Sequence, residues 1–436
     1  MYAPYTGVRF MMRPNGRAFK DERVTIMAFG LTKKELSWVL YDVGNSAFVM
    51  LSTALIPVYF ASIADPGSSA VVAWGYAETV ASLVLALLMP VLGSLADLAG
   101  NKKKFLVGFA GTGAVACAAL GVPEHALAFL VVYVIAAIML NGSMVFYDAF
   151  LVDATTEERY DKVSSHGYAW GYIGSCIPFI ACLAVVLGGS SFGIDAKLGM
   201  KIAFIITAVW WVIFTVPVAK NVKQLHGKKR SDHVLRTTIS GLKGTVKSIM
   251  KDKRLLFFML AFFFYIDGVH TVIKMSTSYG TDLGIDSTQL VLALLVTQFV
   301  AFPSAIAYGN LAKRFGTKHM LKVGVLAYFF IVLFAAFFLK SALEFWILAI
   351  CVGLFQGGIQ ALSRSEYGKL IPKERANEYY GFFDIFGKYA AVMGTFLVSA
   401  FTQLTGSSSL GVLSIALLFI VGYLFLRAMP PMLGDS

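Results

Sequence analysis

The chain has 436 residues, of which 58% are hydrophobic and only 14% charged, and its mean hydropathy is +0.72. A soluble globular domain needs more polar surface than this composition supplies, so a soluble enzyme is excluded and an integral membrane protein is expected. The formal charge of +12 would suit nucleic acid, but the basic residues are distributed by membrane topology, which excludes that partner.

Residues 1–36 contain Arg9, Arg13, Arg17 and Arg23 without an apolar run long enough for a signal peptide. They read as a cytoplasmic tail, with 1–26 either a disordered extension or a misplaced start. Twelve apolar stretches follow, near 37–62, 71–96, 103–122, 126–152, 166–188, 199–219, 255–279, 288–312, 320–339, 343–367, 377–401 and 409–428. Each is long enough to cross about 30 Å of hydrocarbon as a helix. Backbone groups cannot stay unpaired in lipid, so an all-α fold is required. With the N-terminus inside, only Lys197, Lys201 and Lys340 fall in outer loops and only Lys274, Arg364 and Lys388 within spans. All other Lys and Arg residues are then cytoplasmic, which places both termini, including the tail 429–436, inside.

Span one carries Tyr41, Asp42, Asn45 and Ser46 in its inner half. Glu78 lies near the outer end of span two and reads as an interfacial carboxylate. Span four carries Asn141 and Asp148 at i and i+7, and the loop after it has Thr155 placed to cap a short helix with Glu158 reaching back. Gly167 and Gly171, like Gly353 and Gly357, fit G-x-x-x-G, a pattern that lets helices approach closely. Cys117, Cys176, Cys182 and Cys351 all fall inside spans and read as packing residues, with no disulfide or metal site indicated. Gly189-Ser190-Ser191-Phe192-Gly193 matches a nucleophile elbow but lacks the strand-to-helix setting. There is no H-E-x-x-H and no G-x-x-x-x-G-K-[ST], so neither zinc hydrolysis nor ATP-driven transport is indicated, and no cofactor is expected.

The longest inner connection, 220–253, separates a six-helix bundle at 37–219 from another at 254–428. From Val234 its apolar residues follow helical spacing, with Arg236, Lys243, Lys247 and Lys251 on other faces, which predicts an amphipathic helix on the inner leaflet. A partner-binding basic helix is the alternative.

Ionisable side chains within spans are costly unless they face protein or water, so each is a functional candidate. In span seven Asp267, His270 and Lys274 stand at i, i+3 and i+7 on one face, with Asp267 about 20 Å from the inner surface at about 1.5 Å per residue. The stripe suits a zwitterion or a proton relay; an internal ion pair that only lets the helix pack is the competing reading. Span ten carries Gln356, Gln360 and Arg364, and span eleven Tyr380, Asp384 and Lys388, each set at i, i+4 and i+8. Asp384 and Lys388 are candidates for substrate or proton coupling, or for a structural pair. Tyr41, Asn45, Gln356 and Gln360 are expected to line a polar path. Asp42, Asp148 and Arg364 lie within about two turns of the cytoplasmic surface, which suits an inner gate or snorkelling.

The chain repeats itself. Gly93, Leu95, Ala96, Asp97, Gly100 and Lys102 recur 216 residues later as Gly309, Leu311, Ala312, Lys313, Gly316 and Lys318, and Glu158-Arg159 recurs as Glu374-Arg375 in the same register. A duplicated bundle with its substrate site between the copies is expected. The stretch Gly93-Ser94-Leu95-Ala96-Asp97-Leu98-Ala99-Gly100-Asn101-Lys102-Lys103 resembles the signature loop of the major facilitator superfamily. That resemblance implies twelve transmembrane helices in two pseudo-symmetric six-helix bundles. It also implies that Asp97 locks one conformation by contacting the start of span eleven. Lys313 replaces the acid in the second copy, so a matching lock there is not implied.

Trp38-Val39-Leu40-Tyr41-Asp42-Val43-Gly44-Asn45-Ser46-Ala47-Phe48, Asp267-Gly268-Val269-His270-Thr271-Val272-Ile273-Lys274-Met275, Gln356-Gly357-Gly358-Ile359-Gln360-Ala361-Leu362-Ser363-Arg364-Ser365 and Phe386-Gly387-Lys388 are similar to the vacuole-effluxer branch of that superfamily. Its eukaryotic members are associated with export of amino acids from the vacuole after autophagy. The resemblance implies a monomeric secondary transporter working by alternating access, in a plasma membrane if prokaryotic or a vacuolar membrane if eukaryotic. Its expected substrate is a small polar metabolite, first of all an amino acid, with protons as the candidate coupling ion and the lipid bilayer as surroundings. The alternative is a non-transporting receptor, scaffold or lipid-handling protein on the same fold.

Overall fold

The computed structural model describes residues 28–64, 70–228 and 234–431; the expectations for 1–26 and for most of the C-terminal tail fall outside them. The first span is α1 (Lys33–Ala54) and α2 (Ile56–Ile63), bent by 44°. Pro57 in the first turn of α2 cannot extend the hydrogen-bond ladder of α1, and the break falls there. α3 (Ala70–Ala96), α4 (Lys102–Ala119), α5 (Ala126–Ala149), the short α6 (Leu151–Ala154), α7 (Tyr160–Gly188) and α8 (Ala196–Asn221) complete the first group. α9 (Val234–Lys251) is the linker helix. The second group is α10 (Lys253–Asp282), α11 (Ser287–Phe315), α12 (Thr317–Phe338), α13 (Ala342–Leu370), α14 (Ala376–Thr405) and the pair α15 (Ser408–Ser414) and α16 (Ala416–Ala428).

Among the described residues nine helical segments are long and apolar enough to cross a membrane, ten with the bent first pair. α4 falls short because its 18 residues begin with Lys102, Lys103 and Lys104; α14 has 30 residues. These are consistent with the expected twelve spans. Both groups present many exposed apolar side chains, such as Leu87, Val115, Phe330 and Leu404, as a lipid-facing surface requires.

The duplicated register explains how the groups meet. α3 packs on α14 and, symmetrically, α11 packs on α7. The close points are the repeated glycines: a Cβ on Gly93 would lie 2.6 Å from the Asn377 carbonyl oxygen, and one on Gly309 2.6 Å from the Ser165 hydroxyl. Only hydrogen fits at either place.

The equivalent loops before α7 and before α14 each contain a 3-10 turn, Glu157–Arg159 and Lys373–Arg375. The capping expected of Thr155 is corrected: its hydroxyl donates to Glu35 on α1, which Arg159 also grips at 2.6 Å. A buried carboxylate with a guanidinium beside it is a stronger acceptor than a local turn. α9 lies against α3 and α10, with Thr245 and Ile249 buried and Lys243, Lys247 and Lys251 exposed.

Candidate functional site

Arg364 is the centre of the interface. It enters from α13, is 1% exposed, and its guanidinium crosses into the first group. Nη1 donates to Asp148 Oδ1 on α5 at 2.9 Å and lies 3.5 Å from Asp42 Oδ2 on α1. Nε donates to the Ser164 hydroxyl and Nη2 to the Ser164 carbonyl on α7, both at 2.9 Å. The rings of Trp38, Tyr147 and Tyr168 surround it, 4.4 to 5.3 Å from the guanidinium carbon. Tyr147 also donates to Asp42 Oδ2 at 3.0 Å. A buried guanidinium is tolerable only when paired and hydrogen bonded, and here each of its three nitrogens has a partner.

The 216-residue separation of Asp148 and Arg364 is the register of the internal repeat. Two equivalent positions can touch only on the pseudo-twofold axis that relates the groups. Glu157 and Lys373 share that register and pair at 3.3 Å. The axis at this end is thus marked by two bonds, each between opposite charges at equivalent sites.

Gly167 on α7 makes room for the cluster. A Cβ there would lie 2.8 Å from Arg364 Nη2 and 2.9 Å from Asp42 Oδ2. Gly167→Ala is therefore expected to lower the melting temperature by several degrees, an effect of about 1–3 kcal/mol. Gly188→Ala on the same helix, which meets nothing within 4 Å, should leave it unchanged.

Two further junctions flank the axis at the basic end. Asp97, 1% exposed, accepts from the backbone of Asn377 at 2.9 Å and Glu378 at 3.0 Å and from the Asn377 amide at 2.8 Å. A carboxylate at a helix N-terminus meets unpaired N–H groups and the positive end of the dipole. Glu378 in turn holds Lys228 of the linker at 2.6 Å and Arg375 at 2.8 Å, and accepts from Thr245 of α9. Across the axis Lys313 does not reproduce the acid, yet a junction exists. There the carboxylate belongs to Asp161 at the start of α7, held by Lys369 at 2.8 Å, Thr317 at 2.8 Å and Ser365 at 2.5 Å. The acid has moved to the other side of the seam.

The charged stripes fare differently. Asp267 is fully buried and turned toward α14: its Oδ1 accepts from the Gly394 backbone at 2.9 Å and from Thr271 at 3.2 Å. Its Oδ2 has no partner among the described residues. His270 is half-buried, and Lys274 is exposed with no ion pair among the described residues. Asp384 is half-buried, close enough to Asp148 for their charges to interact; the side chain of Lys388 lies outside the described ones. Tyr41 and Asn45 are buried inside the first group, Tyr41 donating to Ser143 at 2.6 Å and Asn45 to the Tyr41 carbonyl at 2.9 Å. Gln360 reaches across to Tyr172 at 3.2 Å. Gln356 joins Ser276, Thr297 and Gln298 in a mainly apolar recess between α10, α11 and α13.

Sequence reasoning missed Ser164, Trp38, Tyr147 and Tyr168 around Arg364, because hydroxyls and aromatics in spans carry no cost that flags them. Asp161 was within reach: it stands 216 residues before Asn377, the partner of Asp97.

Two groups of apolar helices related by an internal repeat and bridged by charges at one end have the architecture of the major facilitator superfamily of membrane transporters. Solved structures share the arrangement. FucP, a major facilitator superfamily transporter in the outward conformation, has a TM-score of 0.70 at 13% identity, over 92% of this chain and 99% of its own. The proton:xylose symporter XylE has a TM-score of 0.68 at 10% identity, over 91% and 94%. The family described as "Vacuole effluxer Atg22 like" matches residues 68–431, and the chain belongs to it. The Bacillus subtilis protein named "Uncharacterized MFS-type transporter YxiO" is 46% identical over 92% of this chain and 95% of its own length. Autophagy-related protein 22 of Cryptococcus neoformans is 26% identical over 60% of this chain, which spans about half of that protein's length.

Proposed function

We propose that the protein moves a small polar metabolite, foremost an amino acid, by alternating access. Arg364, Asp42 and Asp148 form the cytoplasmic gate, and Asp97 locks the gate shut through α14. The observation that carries this reading is the guanidinium of one bundle clasped by the carboxylates of the other. Such a bond must break whenever the bundles part at that end. Asp161 with Lys369 forms the second lock. The basic end is the cytoplasmic one, in agreement with the positive-inside distribution.

Asp267, His270 and Lys274, with Asp384 and Lys388, serve substrate or proton coupling. An exposed ammonium such as Lys274 at this depth requires a water-filled path. Asp267 suits a proton carrier, since a carboxyl oxygen without a donor is poised to bind one. Gln356 and Gln360 supply neutral polar lining.

Uptake and efflux of labelled amino acids in proteoliposomes test this reading. Lys274→Ala and Asp267→Asn are each expected to reduce flux at least tenfold with expression unchanged, and Asp267→Asn to remove its dependence on a pH gradient. Normal flux in both variants would refute the role of this helix. The absence of flux for any solute by folded protein would refute transport itself.

A further inference from the structure

Glu78 on α3 is an ionisable side chain at the outer end of the first group, away from the gate and its locks. It is exposed, yet it is not an isolated interfacial carboxylate, because the hydroxyl of Tyr133 on α5 donates to its Oε1. Trp74, one turn earlier on the same face of α3, lies against Tyr133 with ring centroids 4.2 Å apart, and Phe60 stands 5.9 Å behind Trp74. Tyr133 is buried and fixed. The second oxygen of Glu78 has no protein donor among the described residues. A carboxylate aimed by a tyrosine beside an indole face is the chemistry that holds an ammonium group, by ion pairing and by attraction to the ring.

Its direction is set by the rest of α3. Gly93 touches α14, and Glu78 lies about 60° from it around the helix, at about 100° per residue. The buried Ala77, Ala81 and Leu85 lie to its other side. Glu78 therefore occupies the wedge between α5 and α14, where the two groups face each other. Counted outward from the basic end, Glu78 lies 18 residues from Ala96 on α3 and Lys274 lies 21 residues from Lys253 on α10, about 27 and 32 Å along the helices. One bundle thus presents a carboxylate and the other an ammonium in the outer halves of their helices, on the side away from the gate.

We propose that Glu78, backed by Tyr133 and Trp74, binds the ammonium group of a zwitterionic amino acid whose carboxylate is held by Lys274. This rests on the transporter reading and deepens it by naming the group that recognises the amine. Binding draws the two bundles together at the outer end, because the two charges of one small molecule are held from opposite sides.

The test uses the purified full-length protein, with the proteinogenic amino acids as probes and thermal stabilisation as the readout. For each amino acid that stabilises the wild type, its decarboxylated amine and its deaminated acid are measured too. Glu78→Gln is expected to weaken the amino acid and the amine at least tenfold and to leave the acid unchanged. Lys274→Gln should weaken the amino acid and the acid and spare the amine. Tyr133→Phe, which keeps the ring, should weaken amine binding about threefold, and Glu78→Asp should restore part of it. Wild-type affinity for amines in Glu78→Gln would overturn the proposal, as would a wild type stabilised by no probe bearing an amine. Proteoliposomes separate the two failures: flux of a solute without an amine leaves the transporter standing and removes this site, whereas no flux of any solute removes both.

Discussion

Arg364→Ala is expected to part the two bundles at their basic end and to reduce transport by two orders of magnitude or more. The substitution leaves Asp42 and Asp148 facing each other without the cation that held both, and it strands Ser164. Breaking one partner out of a buried ion pair costs about 3–5 kcal/mol, which is about two to three and a half orders of magnitude in the balance between joined and parted states. Spin labels on cysteines replacing Glu158 and Glu374, two exposed equivalents flanking the axis, report the change as a longer distance once the native cysteines are removed. The double exchange Asp148→Arg with Arg364→Asp should recover part of the short distance. The two positions are equivalent about the axis, so the bond can be rebuilt in the opposite sense. An unchanged distance in Arg364→Ala would show that the bond does not hold the bundles.

Asp97 gives the second large effect, and its sign is less intuitive. Burial pushes its carboxyl up to about 6 from the ordinary 3.8, against the opposing pull of Lys102 and of the Asn377 hydrogen bonds. In the parted state the group is hydrated and titrates in the usual range. The joined state then binds a proton more tightly, so acidification favours joining, and the contribution is lost as pH rises through about 6. Between about pH 4 and 6 the balance should shift by up to tenfold per pH unit. Asp97→Asn should abolish that slope in the same label distance. Asp97→Ala should shift the balance toward parting at every pH, because it leaves two buried N–H groups of α14 without an acceptor, at about 1–3 kcal/mol each.

How much of this was legible in the sequence differs between backbone and site. Hydrophobic length and the distribution of Lys and Arg lead to the membrane spans directly, since both follow from the cost of polar groups in lipid. The triad of Asp42, Asp148 and Arg364 was legible as a set for the same reason. That they meet at one guanidinium was not, because helix spacing fixes the face of a residue but not the partner brought by another helix. Asp267 shows the limit most clearly. Its spacing puts it with His270 and Lys274, yet the approach of Gly394, a residue with no charge to announce it, turns the carboxylate toward α14. Glu78 shows the same limit: position places an acid near the outer end of its span, but the hydrogen bond from Tyr133, on a distant stretch, has no signal in the sequence.

The bond between Asp148 and Arg364 also bears on how such a chain arises. In an assembly of two identical halves the same side chain would occupy both positions and meet its own copy. Two acids or two guanidinium groups would then repel each other at the centre of the seam. Glu157 and Lys373 pose the same problem. These closures therefore require two halves that differ from each other, so a symmetric dimer built from either half alone would lack both.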